Sequence, residues 1–147
     1  MNACNHDCIQ TASGIVFRPL TPRVKDVRIE DIAHALANMC RFAGHTRVFY
    51  SVAQHCVLAS EMVEWTSDDE SNHDALYALL HDASEAYLVD VPRPLKHQTE
   101  FVGYRMAEER LQAIIYQVFG LDPCEPDIVK VIDRRMLRTE QRDLMPP

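Results

Sequence analysis

The sequence predicts an all-α domain, and three observations support this fold class. Apolar residues recur at spacings of three and four through most of the chain after residue 28, which is typical of amphipathic helices. The alternation of polar and apolar residues that marks strands is confined to the first 20 residues. A length of 147 residues with 47% apolar content fits one domain with its own core. We therefore expect a single domain over residues 1–147, with an irregular start over 1–27 and a compact helical bundle over 28–145.

The elements follow in order from local signals. The Ser13-Gly14 turn signal precedes a β-prone run that ends at Phe17, which predicts a short hairpin over residues 11–17. The apolar spacing then predicts five helices, over residues 29–43, 49–65, 73–88, 100–119 and 126–143. Gly44 and Gly120 lie where the first and fourth helices should stop. The segment 91–94 contains two prolines, which predict a stiff extended stretch after the third helix.

Composition restricts the classes of partner and the compartment. The chain has 15 Lys and Arg against 22 Asp and Glu, a formal charge of −7, which disfavours binding to long nucleic acids but permits a small nucleotide. No apolar run approaches the roughly 18 residues that span a bilayer, and the polar N-terminus does not resemble a secretory signal. We therefore expect a cytoplasmic protein that does not associate with membranes.

The cysteines show no spacing typical of a disulfide scaffold. There are five of them, an odd number, so reduced thiols are expected. Cys4, His6 and Cys8 alternate near the N-terminus and are compatible with zinc binding, although no second ligand pair follows.

Two polar residues interrupt the apolar faces of predicted helices. His55 lies on the inward stripe of its helix, where a hydrogen-bonded core histidine is one explanation. Asp133 follows Val129 by one turn and precedes Met136 by another, so its carboxylate is expected to lose water. A buried carboxylate needs a cation or several donors, which leaves either a structural ion pair or a metal ligand.

The third predicted helix carries the pair His81-Asp82, with Glu85 one turn later. Together with His55 and Asp133, this pair would supply two imidazoles and two carboxylates to one ion. Such a donor set suits a borderline divalent metal, for which we expect Zn, Co or Mn. The coincidence of polar groups on three separate helices favours a shared site over independent structural roles.

At these residues the sequence resembles the HD-domain superfamily of metal-dependent phosphohydrolases. The pattern of a His, a His-Asp pair and a distant Asp matches His55, His81-Asp82 and Asp133. The run from Leu80 to Lys96 is similar to the deoxynucleotidase branch, which carries an H-D-A-S-E segment, an Asp, a Pro-x-Pro and a Lys. Within that branch the compact motif spacing is most similar to small phage dATP triphosphohydrolases.

This resemblance implies an all-helical scaffold and roles for individual residues. The four motif residues would bind one catalytic ion, with a second ion accompanying the substrate as a further option. Glu85 and Asp90 would be catalytic. The residues expected to contact substrate are Arg41, Phe42, His45, Pro94, Lys96 and Lys130. Phe42 stands where the family often has Trp, so base preference stays open at this position.

The implied reaction is hydrolysis of dATP to deoxyadenosine and triphosphate, with dADP and dAMP as further substrates. A 5'-deoxynucleotidase acting on deoxynucleoside monophosphates is the first alternative, and a (p)ppGpp hydrolase is a weaker one. A non-catalytic nucleotide-binding module with a structural metal is the alternative of another class. The resemblance also implies a homo-oligomer, from dimer to hexamer.

Overall fold

The computed structural model describes residues 6–66 and 72–146, and within these ranges the predicted all-α fold class is confirmed. The helices are α1 (Ile29–Asn38), α2 (Val52–Thr66), α3 (His73–Leu80), α4 (Glu85–Leu88), α5 (Arg93–Lys96), α6 (Val102–Val118) and α7 (Asp127–Leu144). Helix α2 packs on α1, α3 and α7, and these contacts form the centre of the bundle. None of the helices in the described ranges combines the length and apolarity needed to cross a membrane.

The expected hairpin forms near the N-terminus. Strands β1 (Ile9–Gln10) and β2 (Val16–Phe17) pair antiparallel, and Gly14 takes a positive φ of 84° in the turn between them. Two contacts attach the hairpin to the bundle. Phe17 is fully buried and stacks on Tyr87 with ring centroids 3.9 Å apart. Asp31 at the start of α1 accepts hydrogen bonds from the Ser13 amide at 2.7 Å and the Ser13 hydroxyl at 2.8 Å. The hairpin is therefore part of the core.

The first predicted helix is too long. Helix α1 ends at Asn38, and an isolated bridge between Cys40 and Ser51 closes the loop that follows. Phe42, Ala43 and Gly44 all adopt positive φ inside this loop. Left-handed backbone is costly for non-glycine residues and tends to occur at functional sites. The apolar pattern continued through this segment, but the backbone turns to bring Arg41 against the bundle.

The third predicted helix, over residues 73–88, is interrupted. Helix α3 ends at Leu80, tight turns cover residues 81–84, and α4 begins at Glu85. Hydrogen bonds from the amide of Ala83 to the carbonyl of Leu80 and from the amide of Glu85 to the carbonyl of Asp82 span three residues rather than four. Because the backbone is tighter here, the side chains of His81 and Asp82 do not take the directions that they would have in a regular α-helix.

Two further expectations need correction. The segment predicted to be extended, residues 91–94, leads directly into the short helix α5, because a proline is tolerated in the first turn of a helix. Cys8 is disulfide-bonded, so the expectation of reduced thiols is wrong at this residue. Cys40, Cys56 and Cys124 are free thiols. Cys4, a member of the alternative zinc set, lies outside the described residues.

Candidate metal centre and adjoining cavity

Helix α2 and the turns that follow α3 bring two imidazoles and a carboxylate together at the centre of the bundle. His55 projects from the first turns of α2, and His81 and Asp82 lie in the turns after α3. One ligand atom from each of the three lies within 4.8 Å of the others, so the cluster could hold a metal ion. The Nε2 atoms of the two histidines are 3.2 Å apart, and His81 Nε2 is 3.4 Å from Asp82 Oδ2.

Asp133 on α7 approaches the same point. Its Oδ1 lies 3.4 Å from His55 Nε2 and 4.0 Å from His81 Nε2. A tetrahedral site with bonds of about 2.0–2.1 Å has ligand atoms separated by about 3.3 Å. The separations within the cluster of His55, His81 and Asp82 and from Asp133 to the two histidines bracket that value, and Asp133 lies beside the cluster as a further oxygen donor.

The hydrogen bonds of the two imidazoles fix their tautomers. His81 Nδ1 lies 2.6 Å from the carbonyl oxygen of Ala78, which can only accept, so this nitrogen carries the proton. His55 Nδ1 lies 2.6 Å from Oε1 of Glu140 and donates to that carboxylate in the same way. In its neutral form, each imidazole with this tautomer directs an Nε2 lone pair to the same point. Two lone pairs 3.2 Å apart repel each other unless a proton or a metal ion lies between them.

The surrounding charges also favour a cation at this point. Burial lowers the pKa of His55, but its contacts with Asp133 and Glu140 outweigh burial and raise the pKa overall. Burial raises the pKa of Asp133, yet the hydrogen bond with His55 and the charge of His81 hold that pKa well below its usual range. The raised pKa of His55 and the lowered pKa of Asp133 both show that the acceptors around His55 stabilise a positive charge, which a proton or a metal ion can supply.

Glu140 and Arg41 form a buried layer behind the cluster. Glu140 is 4% exposed and accepts a hydrogen bond from the Tyr50 hydroxyl at 2.9 Å, in addition to the one from His55. Arg41 Nε lies 3.3 Å from Glu140 Oε2, and Arg41 Nη1 donates to Asp82 Oδ2 at 3.1 Å. Arg41 thus links Glu140 to the aspartate of the His-Asp pair and restricts the orientation of both carboxylates.

Glu85 lies next to the cluster and is nearly completely buried. Burial raises the pKa of Glu85 well above its usual range, and the negative charges of Asp82 and Asp90 raise it further. Lys96 Nζ lies 3.7 Å from Glu85 Oε1, and Glu85 Oε2 has no hydrogen-bond partner among the described residues. A carboxyl group in these surroundings keeps its proton to a higher pH than a free carboxyl group does.

Asp90 follows a strained backbone position. Val89 adopts a φ of 71°, a genuine outlier for a β-branched residue, and its carbonyl accepts a hydrogen bond from the Tyr104 hydroxyl at 2.6 Å. Burial raises the pKa of Asp90, partly offset by the charge of Arg41. Strain of this kind persists only where neighbouring contacts fix the backbone, and here it aims Asp90 at the site.

A cavity of about 750 Å³ opens beside the cluster. Asp82 and Asp133 line it, so the cluster is reached through this cavity. The lining also includes two acidic residues, Glu85 and Asp90, together with Arg41, Phe42, Arg93, Pro94, Lys96, Lys130 and Arg134. Its volume lies within the range of small-molecule sites.

The structure places most of the predicted substrate-contact residues on this cavity, with one exception. His45 is exposed, and it is not among the lining residues in the described part of the chain. Its predicted role is therefore not supported by its position. On the cavity, Lys96 Nζ donates a hydrogen bond to Glu108 Oε1 at 2.7 Å. The guanidinium of Arg41 lies 5.6 Å from the ring centroid of Phe42.

The sequence interpretation did not identify three residues that shape the site: Glu140, Tyr50 and Arg93. Arg93 Nη2 donates to Asp133 Oδ2 at 3.2 Å, on the side of the carboxylate away from the histidines. A signal for Glu140 was present, because it lies one turn after the buried Met136 on the inward stripe of α7. Neither Tyr50 nor Arg93 carries such a signal, since both lie outside long helices.

Sequence comparison places the chain among bacterial relatives. It is 45% identical over 136 residues to uncharacterized protein YfdR of Escherichia coli strain K12, covering 92% of this chain and 71% of that protein. The chain belongs to the YfdR family. A second member, uncharacterized protein RCAP_rcc00048 of Rhodobacter capsulatus, is 38% identical over 120 residues. That match covers 80% of this chain and 61% of the Rhodobacter protein. No protein-family model matches the sequence.

Proposed function

We propose that this YfdR-family chain is a metal-dependent phosphohydrolase of the HD-domain type that acts on deoxynucleotides. One observation carries the proposal: a cluster of two histidines and one aspartate, with Asp133 beside it, opens into a cavity that is also lined by cations. The resemblance of the motif run from Leu80 to Lys96 to the deoxynucleotidase branch supports the choice of substrate.

The residues present fit a single transition-metal ion. His55, His81, Asp82 and Asp133 would hold it, and their mixed nitrogen and oxygen donors suit Zn, Co or Mn. When bound, the ion would lower the pKa of a coordinated water and polarise a phosphate oxygen. A second ion accompanying the substrate stays a further option of this proposal.

The side chains around the cavity would bind the substrate phosphate and transfer protons. Arg41 and Lys96 would offset phosphate charge, which the acidic protein otherwise repels. Glu85 would orient the attacking water or carry its proton, because burial raises its pKa toward the range in which a carboxyl group serves as general acid or base. Asp90 would assist departure of the 5'-oxygen or hold the sugar.

Two cavity residues would select the nucleoside. Phe42 presents an aromatic ring that can stack on a base. Pro94 would lie against the sugar and favour a 2'-deoxy substrate. If ATP and dATP were turned over at equal rates, the sugar role of Pro94 would be wrong.

In the proposed reaction, water attacks the α-phosphorus of dATP and the bond from phosphorus to the 5'-oxygen breaks. The 5'-oxygen takes up a proton, so that the products are deoxyadenosine and triphosphate. The same attack on dAMP gives deoxyadenosine and orthophosphate, which is the reaction of the alternative 5'-deoxynucleotidase.

The resemblance also leads us to propose that the protein forms a homo-oligomer. Light scattering on the purified protein would measure its molecular mass and so test this proposal.

A substrate panel tests the proposal. Deoxynucleoside mono-, di- and triphosphates are incubated with protein loaded with Co, Mn or Zn, and the products are separated by chromatography. Triphosphate released from dATP supports the first reaction, whereas activity confined to monophosphates supports the nucleotidase.

A matched pair of variants separates an enzyme from a non-catalytic module. Glu85→Gln should abolish turnover while metal binding persists, and Glu109→Gln, an exposed residue on α6, should change neither. Nucleotide binding without any product in the unmodified protein would favour the non-catalytic module with a structural metal.

A further inference from the structure

Most cations that line the cavity are already held by protein carboxylates. The nitrogen–oxygen distances are 3.1 Å for Arg41–Asp82, 3.2 Å for Arg93–Asp133 and 2.7 Å for Lys96–Glu108. Any phosphate that binds to one of these cations must compete with its carboxylate. These cations are therefore partly neutralised, so they can offset the charge of a phosphate at the cluster but are poorly suited to binding several further phosphates.

Arg134 differs from them. It lines the same cavity, yet its side chain has no ion-pair or hydrogen-bond partner among residues 6–66 and 72–146. Lys130, one turn earlier on α7, also lines the cavity and lies 3.7 Å from Asp127. The side chains of that pair are 56% and 99% exposed. An exposed pair of this kind contributes about 0–1 kcal/mol, so Lys130 is readily released to another anion.

The spacing of these two cations is unfavourable unless an anion is present. Residues four apart on a helix have Cβ atoms about 5–6 Å from each other, and like charges at this spacing repel. An oligophosphate lying along α7 would relieve that repulsion. The guanidinium of Arg134 could bind one of its phosphates through two parallel hydrogen bonds.

The position of Arg134 relative to Asp133 indicates which phosphate it contacts. Successive residues point about 100° apart around a helix axis. Asp133 turns toward the histidines, so Arg134 faces a different part of the cavity. The phosphate at the cluster and the phosphate at Arg134 would therefore be two different phosphate groups of the same oligophosphate.

The resemblance already implies Lys130 as a substrate contact; we propose that Arg134 joins Lys130 in a second anion subsite, which binds the phosphates that do not contact the metal. This subsite would make the cavity selective for di- and triphosphates over monophosphates. The substrate preference rests on the proposed function, whereas the binding of an oligophosphate by the subsite does not require turnover.

Calorimetric titration of the purified protein with inorganic triphosphate and with orthophosphate tests the subsite directly. Arg134→Ala should weaken triphosphate binding about tenfold and leave orthophosphate binding unchanged. Arg135→Ala is the matched control, because it removes the same charge from the next residue of α7, which does not line the cavity in the described part of the chain. The control should weaken triphosphate binding less than twofold.

The outcomes separate the subsite from the proposed function. If the protein hydrolyses deoxynucleotides, Arg134→Ala should lower kcat/KM for dATP about tenfold and leave kcat/KM for dAMP unchanged. If no deoxynucleotide is hydrolysed, the proposed function fails and the titration still decides the subsite. Equal losses in the two arginine variants, or no triphosphate binding by the unmodified protein, would overturn the subsite. Circular dichroism checks that each variant is folded, and Lys130→Ala provides a second variant with the same expected direction.

Discussion

Replacing Glu140 by Gln tests the buried layer behind the metal centre. The carboxylate accepts hydrogen bonds from His55 Nδ1 at 2.6 Å and from the Tyr50 hydroxyl at 2.9 Å, and it lies 3.3 Å from Arg41 Nε. Glutamine keeps the volume and one acceptor oxygen, but it removes the negative charge. Its amide group would also place a second donor opposite Arg41.

The size of the effect follows from these contacts. A hydrogen bond to a charged group contributes about 1.5–3 kcal/mol, against about 0.5–1.5 kcal/mol for a neutral one. Two such bonds lose charge in Glu140→Gln, so we expect the free energy of unfolding to fall by about 2–3 kcal/mol. Since Glu140 fixes the orientation of a proposed ligand, His55, metal affinity should also fall, by about 10- to 100-fold.

Urea denaturation and metal titration of three variants measure both effects. Glu109→Gln makes the same chemical change at an exposed position and should leave both quantities unchanged. Tyr50→Phe removes one hydrogen bond to Glu140 and should lower the free energy of unfolding by about 1 kcal/mol. If Glu140→Gln behaves like the exposed control in both measurements, the positioning role assigned to Glu140 is wrong.

Three further predictions concern the scaffold and are checked by urea denaturation. Phe17→Ala should lower the free energy of unfolding by about 3–5 kcal/mol, because a fully buried ring that joins the hairpin to the core is removed; a loss below about 1 kcal/mol would show that the hairpin is peripheral. Asp31→Ala should lower the free energy of unfolding by about 2 kcal/mol at pH 7. Burial raises the pKa of Asp31, but the Ser13 hydrogen bonds outweigh it and lower the pKa overall. The difference in free energy of unfolding between Asp31→Ala and the unmodified protein should therefore have its full size above about pH 4 and disappear as pH falls through the lowered pKa of Asp31. A difference that does not change with pH would contradict this. Val89→Gly should not destabilise the protein, because relief of the positive φ offsets the added backbone freedom of glycine; a clear loss of stability would argue against strain at this residue.

The sequence predicted the helical architecture because amphipathic spacing is a local property. It also indicated that His55 and Asp133 lie on inward faces, and the structure brings both to the His-Asp pair. The break after Leu80 was not predictable from spacing, since its apolar residues continue in register into α4. Whether a helix continues there depends on packing and on the hydrogen bond from His81 to Ala78.

The features of the site that could not be predicted from the sequence have a similar physical origin. Glu140 is separated from His55 by 85 residues, and only the inward stripe of α7 hinted at its burial. Arg134 and Arg135 are equivalent in the sequence, and only the three-dimensional position of the cavity distinguishes them. Local pattern identifies which residues are unusual for their helix, whereas tertiary packing determines which of them meet.

Anomalous diffraction from crystals grown with Zn or Co tests the metal centre most directly. We expect one strong peak bonded to His55 Nε2, His81 Nε2 and a carboxylate oxygen from each of Asp82 and Asp133, at about 2.0–2.2 Å from each atom. We also expect the peak to disappear in His81→Ala while an exposed control, His34→Ala, retains it. A site that stays empty in the presence of either metal, or a peak bonded to other residues, would contradict the metal centre and the phosphohydrolase chemistry that depends on it.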